Sequence, residues 1–197
     1  YQELSSKSIR QIPNYKKPQD NRVDVNLEHL TEAQKQFLTN KPMAMEQILT
    51  DVRLPEIIKR IEGQTIIYTE YLGTDDPTKK RIIDKIKSAV KLAGFSYGQY
   101  TGENRDGLEK FKQKEIQVLI ASRPISTGID GLQRICHNLI FNTLPWTNAQ
   151  YIQIIGRLVR TGQEKEVKIH HILAGIKKYR YDHLKMGRIN FKRTLAD

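Results

Sequence analysis

The pattern of apolar positions changes along the chain, and from Thr65 onward short apolar runs alternate with amphipathic segments. Short apolar runs bounded by turn residues predict buried strands. The predicted strands are Thr65–Thr69, Phe95–Tyr100, Ile116–Ala121, Asn138–Asn142 and Val167–Leu173. Strands that alternate with amphipathic helices indicate βαβ units and a parallel sheet. The sequence therefore predicts an α/β fold in which ligands bind beyond the carboxyl ends of the strands.

Three helices are predicted between these strands. The first has Asp76 as its N-cap and Pro77 at its first position, and Gly94 is placed to end it. The second is a short charged helix over Asn104–Gln113, and the third covers Thr147–Arg160. In each helix the apolar residues fall on one face, which predicts packing against the sheet.

The segments on either side of this core have a different pattern of polar and apolar residues. Residues 1–26 are polar with weak periodicity, which predicts an extended arm or linker. A helical pattern runs from Leu27 to Ile61, and Pro42 and Pro55 are expected to divide it into two or three helices. The tail, residues 176–197, mixes basic and aromatic residues; a helix packed back on the domain is favoured over a nucleic-acid contact.

Composition adds a preference for a polyanionic partner. Lysine and arginine outnumber the acidic residues by 33 to 22, which gives a formal charge of +11. Such an excess favours nucleic acid, although a basic solvated surface is an equally good interpretation of charge alone. Membrane binding is disfavoured because no uninterrupted apolar run of about 18 residues occurs.

The single cysteine, Cys136, cannot form an internal disulfide and is expected to be a buried side chain in an intracellular, reducing compartment. His170 and His171 are adjacent in a predicted strand, so they should point to opposite faces of the sheet. No metal site is therefore predicted. The chain begins at Tyr1 rather than Met, which we interpret as a fragment of a longer protein.

The most informative motif lies on the predicted helix Thr147–Arg160. At 100° per residue, one face of this helix is apolar and the opposite face carries Gln150, Gln153, Arg157 and Arg160. Aligned arginines can bind a phosphate, because each planar guanidinium pairs with two oxygens at once. Taken alone, such a stripe is more often a solvated face.

A second motif, Ala121–Asp130, directly follows a predicted strand. Gly128 permits a tight turn, while Ser126 and Thr127 offer hydroxyls and amides to a phosphate. Asp130 could accept a ribose hydroxyl, and Arg123 adds a positive charge. An ordinary strand-to-helix loop with a capping aspartate is the simpler interpretation of this stretch by itself.

A third group of polar residues closes two other strands. Thr69 ends Thr65–Thr69, and Thr101 with Gly102 follows the strand that ends at Tyr100. Short polar residues at the carboxyl end of a strand can hold a backbone phosphate, although Thr-Gly is also simply a turn.

Together these motifs resemble, in order and spacing, those of the C-terminal RecA-like domain of superfamily 2 helicases, most closely the Swi/Snf type. The residues that carry the resemblance are Gln153-x-x-Gly156-Arg157-x-x-Arg160-x-Gly162-Gln163, preceded by Pro145-Trp146-x-Asn148. The resemblance implies a RecA-like parallel sheet over residues 51–175, with residues 1–50 as an extension and 176–197 as a tail.

The same resemblance implies roles for the motif residues. Arg157 and Arg160 would be arginine fingers that reach ATP on another RecA-like lobe, with Gln153 close to the nucleotide. Gly128 and Asp130 would contact the nucleotide as well. The nucleic-acid backbone would be contacted by Thr69, Thr101, Gly102, Arg123, Ser126 and Thr127. The expected partners are ATP with Mg²⁺, duplex DNA (RNA stays open) and an N-terminal lobe, in a monomeric protein.

Three departures bear on activity and subfamily. The phosphate-cradling Gly-x-x-x-x-Gly-Lys-Ser/Thr pattern is absent, so the chain alone is expected not to hydrolyse ATP. Ile154 stands where the Swi/Snf motif usually has Ala, and Asp130 replaces the more usual Asn. Because Thr127-Gly-Ile-Asp130 is close to the DEAD-box sequence, a strand-separating helicase is an alternative, and a catalytically inactive binding module is a third.

Overall fold

The computed structural model describes residues 16–27, 31, 34, 40–176 and 180–196. Six strands form its sheet: β1 (Gln19–Leu27), β2 (Thr65–Tyr68), β3 (Tyr97–Tyr100), β4 (Val118–Ala121), β5 (Asn138–Phe141) and β6 (Lys168–Ile176). The helices that lie wholly within the described residues are α1 (Pro42–Lys59), α2 (Ile82–Leu92), α3 (Gly107–Lys112), α4 (Asn148–Ile155) and α5 (Tyr181–Ala196). No helix in the described part of the chain is long and apolar enough to cross a membrane.

The strands form one parallel sheet in the order β1-β6-β5-β2-β4-β3. Central strands β2, β4 and β5 are buried along their whole length. In register, Ile67 lies between Ile120 and Ile140, so β-branched side chains stack across the middle of the sheet. The predicted parallel α/β fold is confirmed.

Helices cover both faces of the sheet. On one face, Ile57 of α1 and Ile86 of α2 pack against Ile67 and its neighbours. On the other face, Phe111 of α3 and Ile154 of α4 pack against residues such as Ile66. Because neighbouring side chains of a strand point to opposite sides, each buried strand contributes to both cores.

The last helix packs back on the domain, as favoured for the tail. Arg53 of α1 is fully buried and donates to both carboxylate oxygens of Asp182 on α5, at 2.7–3.0 Å. It also donates to Glu46 at 2.8 Å, and Glu46 accepts from Lys185 of α5 at 2.6 Å. The main-chain amide of Ala174 donates to Asp182 at 2.6 Å, which joins α5 to β6 as well.

His170 and His171 lie on opposite faces of β6, as predicted. His171 forms a hydrogen bond of 2.6 Å with the hydroxyl of Tyr151. His170 is 3.0 Å from Asn138 Oδ1, and burial lowers the pKa of His170 to about 4. Among the described residues no cluster of three or more His, Cys, Asp or Glu side chains could hold a metal ion.

Of the extended arm or linker predicted over residues 1–26, residues 1–15 lie outside the described residues, and Gln19–Leu27 form a strand that pairs along its whole length with β6. Two predictions about helices were wrong. Helix α1 continues through Pro55, which lies with Asp51 on the exposed side, where the carbonyl that loses its donor can bond to water. Asp76 caps a turn through Thr78, not a helix, since α2 begins only at Ile82. The division of the chain at residues 50 and 175 stays a prediction.

Candidate functional site: a cleft beside the end of α4 and a surface at the strand ends

A cleft of about 690 Å³ lies between the loop that follows β4 and the turn that follows α4. We call it the cleft, and its lining residues are Ser126, Thr127, Gly128, Asp130, Gln133, Arg134, Gln153, Gly156, Arg157, Val159, Arg160 and Thr161. Two of the motifs found in the sequence therefore meet in one place. Helix α4 starts after the carboxyl end of β5, and the loop on the other side of the cleft follows β4.

Helix α4 is shorter than predicted. Its N-cap is Thr147, whose hydroxyl accepts the amide of Gln150 at 3.2 Å. The helix ends at Ile155, because Gly156 is a weak helix former and the following turn closes with tighter bonds from Arg157 to Ile154 and from Leu158 to Ile155. The prediction that this helix extends to Arg160 was wrong.

The arginines consequently reach the cleft from a turn and not from a helical stripe. Gln153, Arg157 and Arg160 all line the cleft. Gln150 does not share their surface, since its side-chain amide lies 3.2 Å from the hydroxyl of Tyr68 at the end of β2. The grouping of four residues on one helix face was therefore wrong for Gln150.

Arg157 holds the loop after β4 in place. Its guanidinium donates to the carbonyl oxygen of Ser126 at 2.6 Å and to that of Ile129 at 2.7 Å. Both carbonyls belong to the loop that contains Gly128, whose φ of +69° suits glycine. Arg157 thus fixes the backbone that forms one wall of the cleft.

Arg160 is more loosely held at the cleft. Its closest contacts are Asp130 Oδ1 at 3.4 Å and the carbonyl of Ile129 at 3.5 Å. The side chain of Asp130 is 78% exposed. The amides of Gly131 and Gln133 and the charge of Arg160 lower the pKa of Asp130, so its carboxylate is charged at neutral pH.

Gln133 is a cleft residue that the sequence analysis missed. It is buried, and its amide donates to Asp130 at 3.3 Å and to the carbonyl of Thr161 at 3.2 Å. Its own oxygen accepts the amide of Gly131 at 3.1 Å. Gln133 therefore joins the loop after β4 to the turn after α4.

A second polar surface lies where β2, β3, β4 and β5 end. We call it the strand-end surface, and it comprises Thr69, Glu70, Thr101, Gly102, Arg123, Thr143 and Gln150. The hydroxyl of Thr69 is buried and donates to the carbonyl of Tyr71 at 2.7 Å. The hydroxyl of Thr101 is buried as well and accepts the amides of Glu103 and Asn104 at 3.2 and 3.1 Å.

The six residues predicted to contact nucleic acid are divided between the two surfaces. Ser126 and Thr127 line the cleft, and the other four lie at the strand ends. Gly102, Arg123 and Thr127 are exposed, whereas the remaining three are buried. Ser126, for example, donates its hydroxyl to the carbonyl of Arg123 at 2.7 Å.

Glu70 is the centre of the strand-end surface, and no role was assigned to it from the sequence. Its carboxylate accepts from the hydroxyl of Tyr68 at 2.5 Å, from Gln150 at 3.3 Å and from Arg123 at 2.5 Å. Its side chain is only 3% exposed, while that of Arg123 is 69% exposed. Burial, together with the neighbouring Glu70 charge, raises the pKa of Tyr68, so the hydroxyl stays protonated and donates.

Comparison with known proteins connects this geometry to a family. The family described as "Helicase conserved C-terminal domain" matches residues 44–162, which is more than half of the chain. This chain belongs to that family. Both the cleft and the strand-end surface lie entirely within the matched residues, whereas β1, β6 and α5 lie outside them.

One relative of this helicase C-terminal domain is the "Uncharacterized ATP-dependent helicase YqhH" of Bacillus subtilis (strain 168). It is 31% identical over 122 residues, which cover 61% of this chain and 21% of the relative. The domain thus spans about a fifth of that protein's length.

Two solved structures share the fold. A DEAD box protein from Methanococcus jannaschii has a TM-score of 0.57 at 22% identity, covering 89% of this chain and 40% of that one. Dbp5 of S. cerevisiae, bound to RNA and ADP BeF3, has a TM-score of 0.56 at 18% identity, covering 88% and 38%. At these identities the likeness establishes the RecA-like fold of helicase C-terminal domains. This likeness of fold agrees with the family match over residues 44–162.

Proposed function

We propose that this domain is the C-terminal motor lobe of a Swi/Snf-type nucleic-acid translocase that completes an ATP site on a second RecA-like lobe. The cleft is the observation that supports this proposal, because it gathers Gln153, Arg157 and Arg160 opposite Gly128 and Asp130. Guanidinium groups beside main-chain amides suit the phosphates of a nucleotide. Asp130 would accept a ribose hydroxyl.

The two arginines would contribute in different ways. Arg160 is 37% exposed, and its contacts of 3.4 and 3.5 Å are long, so it can turn towards a phosphate at little cost. Arg157 would have to exchange two short bonds to loop carbonyls for bonds to phosphate. We therefore propose Arg160 as the principal arginine finger. Arg157 would hold the loop after β4 and would also contact the nucleotide.

The nucleotide itself would be held mainly by the other lobe. The phosphate-cradling Gly-x-x-x-x-Gly-Lys-Ser/Thr pattern does not occur in these 197 residues. ATP with Mg²⁺ would bind to a lobe that carries that loop, and this chain alone would not hydrolyse ATP. The bound nucleotide would supply the phosphoanhydride bond that is broken, while Arg160 would neutralise charge that develops on the transferred phosphoryl group.

The nucleic-acid backbone would lie along the strand-end surface and the rim of the cleft. Arg123, Gly102 and Thr127 are exposed there, and the formal charge of +11 favours a polyanion. Duplex DNA is the proposed partner, because Pro145-Trp146-x-Asn148 and the Gly162-Gln163 pair favour the translocase type. The DEAD-box-like Thr127–Asp130 supports the alternative of a strand-separating helicase, for which RNA would be the partner.

The decisive experiment is ATP hydrolysis by the complete protein that contains this domain, with and without Arg160→Ala. Loss of an arginine finger costs roughly 10³–10⁵ in rate in related phosphoryl-transfer enzymes, so we expect DNA-stimulated hydrolysis to fall by about that factor. Arg22→Ala is the matched control, since Arg22 is a half-exposed arginine on the edge strand β1, far from the cleft along the sheet. It should hydrolyse ATP like the wild type.

Hydrolysis by Arg160→Ala at the wild-type rate, in a folded protein, would remove Arg160 from the active site. A complete protein without activity on duplex DNA or RNA would favour the inactive binding module. A strand-displacement assay on partial duplexes would distinguish the two motor types. A translocase hydrolyses ATP in response to DNA without separating the strands, whereas a helicase releases the displaced strand.

A further inference from the structure

Glu70 is a buried carboxylate whose most exposed partner is an arginine. One of its oxygens, Oε2, is occupied from inside the domain by Tyr68 and Gln150. The other, Oε1, binds Nη2 of Arg123 at 2.5 Å. The carboxylate is therefore fixed by internal hydrogen bonds and can orient the arginine that it binds.

The backbone of Glu70 is fixed as well. Its amide donates to the hydroxyl of Thr143 at 2.5 Å, and Thr143 is fully buried. The preceding residue, Thr69, donates its amide to the carbonyl of Ala121 at 2.9 Å, in continuation of the sheet. Glu70 thus lies just after the end of β2 and reaches across to Arg123, which lies just after the end of β4.

Arg123 presents most of its guanidinium to solvent. A guanidinium has five N–H donors in a planar fork, and Glu70 uses the Nη2 nitrogen alone. The other donors are available to a phosphate. Since the side chain is 69% exposed, its bond to Glu70 is the main polar restraint on its direction among the described residues.

We propose that Glu70 is a positioning residue, which orients Arg123 towards a phosphate of the nucleic-acid backbone. This inference rests on the proposed function, in which Arg123 contacts nucleic acid. Glu70 would contact no ligand itself. Because Glu70 already restricts the rotamers of Arg123 in the unbound protein, Arg123 would lose less conformational entropy when it binds a phosphate.

Charge and positioning predict opposite results when Glu70 is neutralised. Removal of a negative charge near a bound polyanion should tighten binding if electrostatics alone decides. Loss of the anchor for Arg123 should weaken binding if positioning decides. The substitution Glu70→Gln keeps the size of the side chain, so the sign of the change separates the two effects.

The experiment measures binding of the full 197-residue chain to fluorescent duplex DNA by anisotropy, with RNA of equal length in parallel. We expect Glu70→Gln to weaken binding by about two- to fivefold, the size of an ion pair with one exposed partner. Arg123→Ala should weaken it at least as much. The matched control is Glu115→Gln, because Glu115 is exposed and its side chain makes no ion pair in the described part of the chain.

A double-mutant cycle shows whether Glu70 acts through Arg123. In the Arg123→Ala background, Glu70→Gln should cause no further weakening. An additive loss there, or tighter binding by Glu70→Gln alone, would overturn the positioning role and leave the proposed function intact. Unchanged binding by Arg123→Ala would instead remove Arg123 from the interface, which contradicts that part of the proposed function. Circular dichroism melting of each variant identifies any loss that comes from unfolding.

Discussion

The strand-end surface and the cleft differ in how completely their polar groups are bonded within the domain. At the strand ends, Thr69, Thr143 and Glu70 are buried and bonded to one another or to nearby backbone. In the cleft, Asp130 is 78% exposed, and Gln153 makes no side-chain hydrogen bond within the described residues. Apart from the exposed Arg123, the polar side chains named at the strand ends are bonded within the domain, whereas the cleft keeps polar side chains with few bonds of their own.

The difference follows from how each surface is built. The strand-end surface continues the parallel sheet, as shown by the bonds from Thr69 to Ala121, from Asn142 to Tyr68 and from Ser122 to Tyr100, all at 2.8–3.1 Å. The cleft is made of two turns that are held together mainly by Arg157 and Gln133. A surface that is fixed in advance binds with little ordering cost, whereas loosely held groups can rearrange when another lobe closes on them.

Among the substitutions in the cleft, the largest loss of stability should come from Arg157, which is firmly bonded to the loop after β4. Arg157→Ala leaves the carbonyls of Ser126 and Ile129 without their charged donor, and we expect it to cost about 1.5–3 kcal/mol of unfolding free energy. Arg160→Ala should change the unfolding free energy by less than about 0.5 kcal/mol, since its contacts are long and exposed. Urea unfolding of the chain measures both. Equal losses would show that the two arginines are not divided as the structure indicates.

A pair of matched threonine substitutions compares the two surfaces directly. Thr143→Val removes the acceptor for the amides of Glu70 and Tyr71 in a fully buried position, so we expect a loss of roughly 1–3 kcal/mol. Thr127→Val makes the same chemical change at an exposed position of the cleft and should stay within about 0.5 kcal/mol of the wild type. If Thr127→Val were as costly as Thr143→Val, the cleft would be as tightly organised as the strand ends.

Burial made the sheet and most helices predictable from the sequence. Ile67, Ile120 and Ile140 lie in apolar runs, and no local feature competes with the burial of such runs. The predicted helix was too long at its C-terminal end. The helical spacing of Gln153, Arg157 and Arg160 continues after Gly156, although the helix ends at Ile155 and the chain turns there. Pro55 misled in the opposite way, since a proline on the solvent side need not end a helix.

The candidate site was predictable only as far as its contacts are local in sequence. The predicted start of helix α4 at Thr147 is confirmed, and the bond that caps it, from the amide of Gln150, spans three residues. The ion pair between Glu70 and Arg123 spans 53 residues, and nothing in either neighbourhood indicates the other. The same holds for Gln133, which binds the carbonyl of Thr161 across 28 residues. Long-range polar pairs depend on which strands lie side by side, and that order follows from the fold.

The smallest expected difference in unfolding free energy is that between substitutions of two glutamines of helix α4. Gln150→Leu removes bonds of 3.2 and 3.3 Å to Tyr68 and Glu70, and we expect it to lower the unfolding free energy by roughly 0.5–1.5 kcal/mol. Gln153→Leu, three residues further along the helix, removes no bond within the described residues and should leave stability within about 0.5 kcal/mol.

Gln150→Leu is expected to affect stability more than Gln153→Leu, but Gln153→Leu should affect the maximal rate of ATP hydrolysis more. In the complete protein, Gln153→Leu should reduce ATP hydrolysis at saturating DNA, because Gln153 faces the cleft. Gln150→Leu should mainly raise the DNA concentration needed for half-maximal stimulation, because it loosens Glu70 and hence Arg123. Identical changes in both variants, in stability and in activity alike, would mean that the two surfaces act as one site.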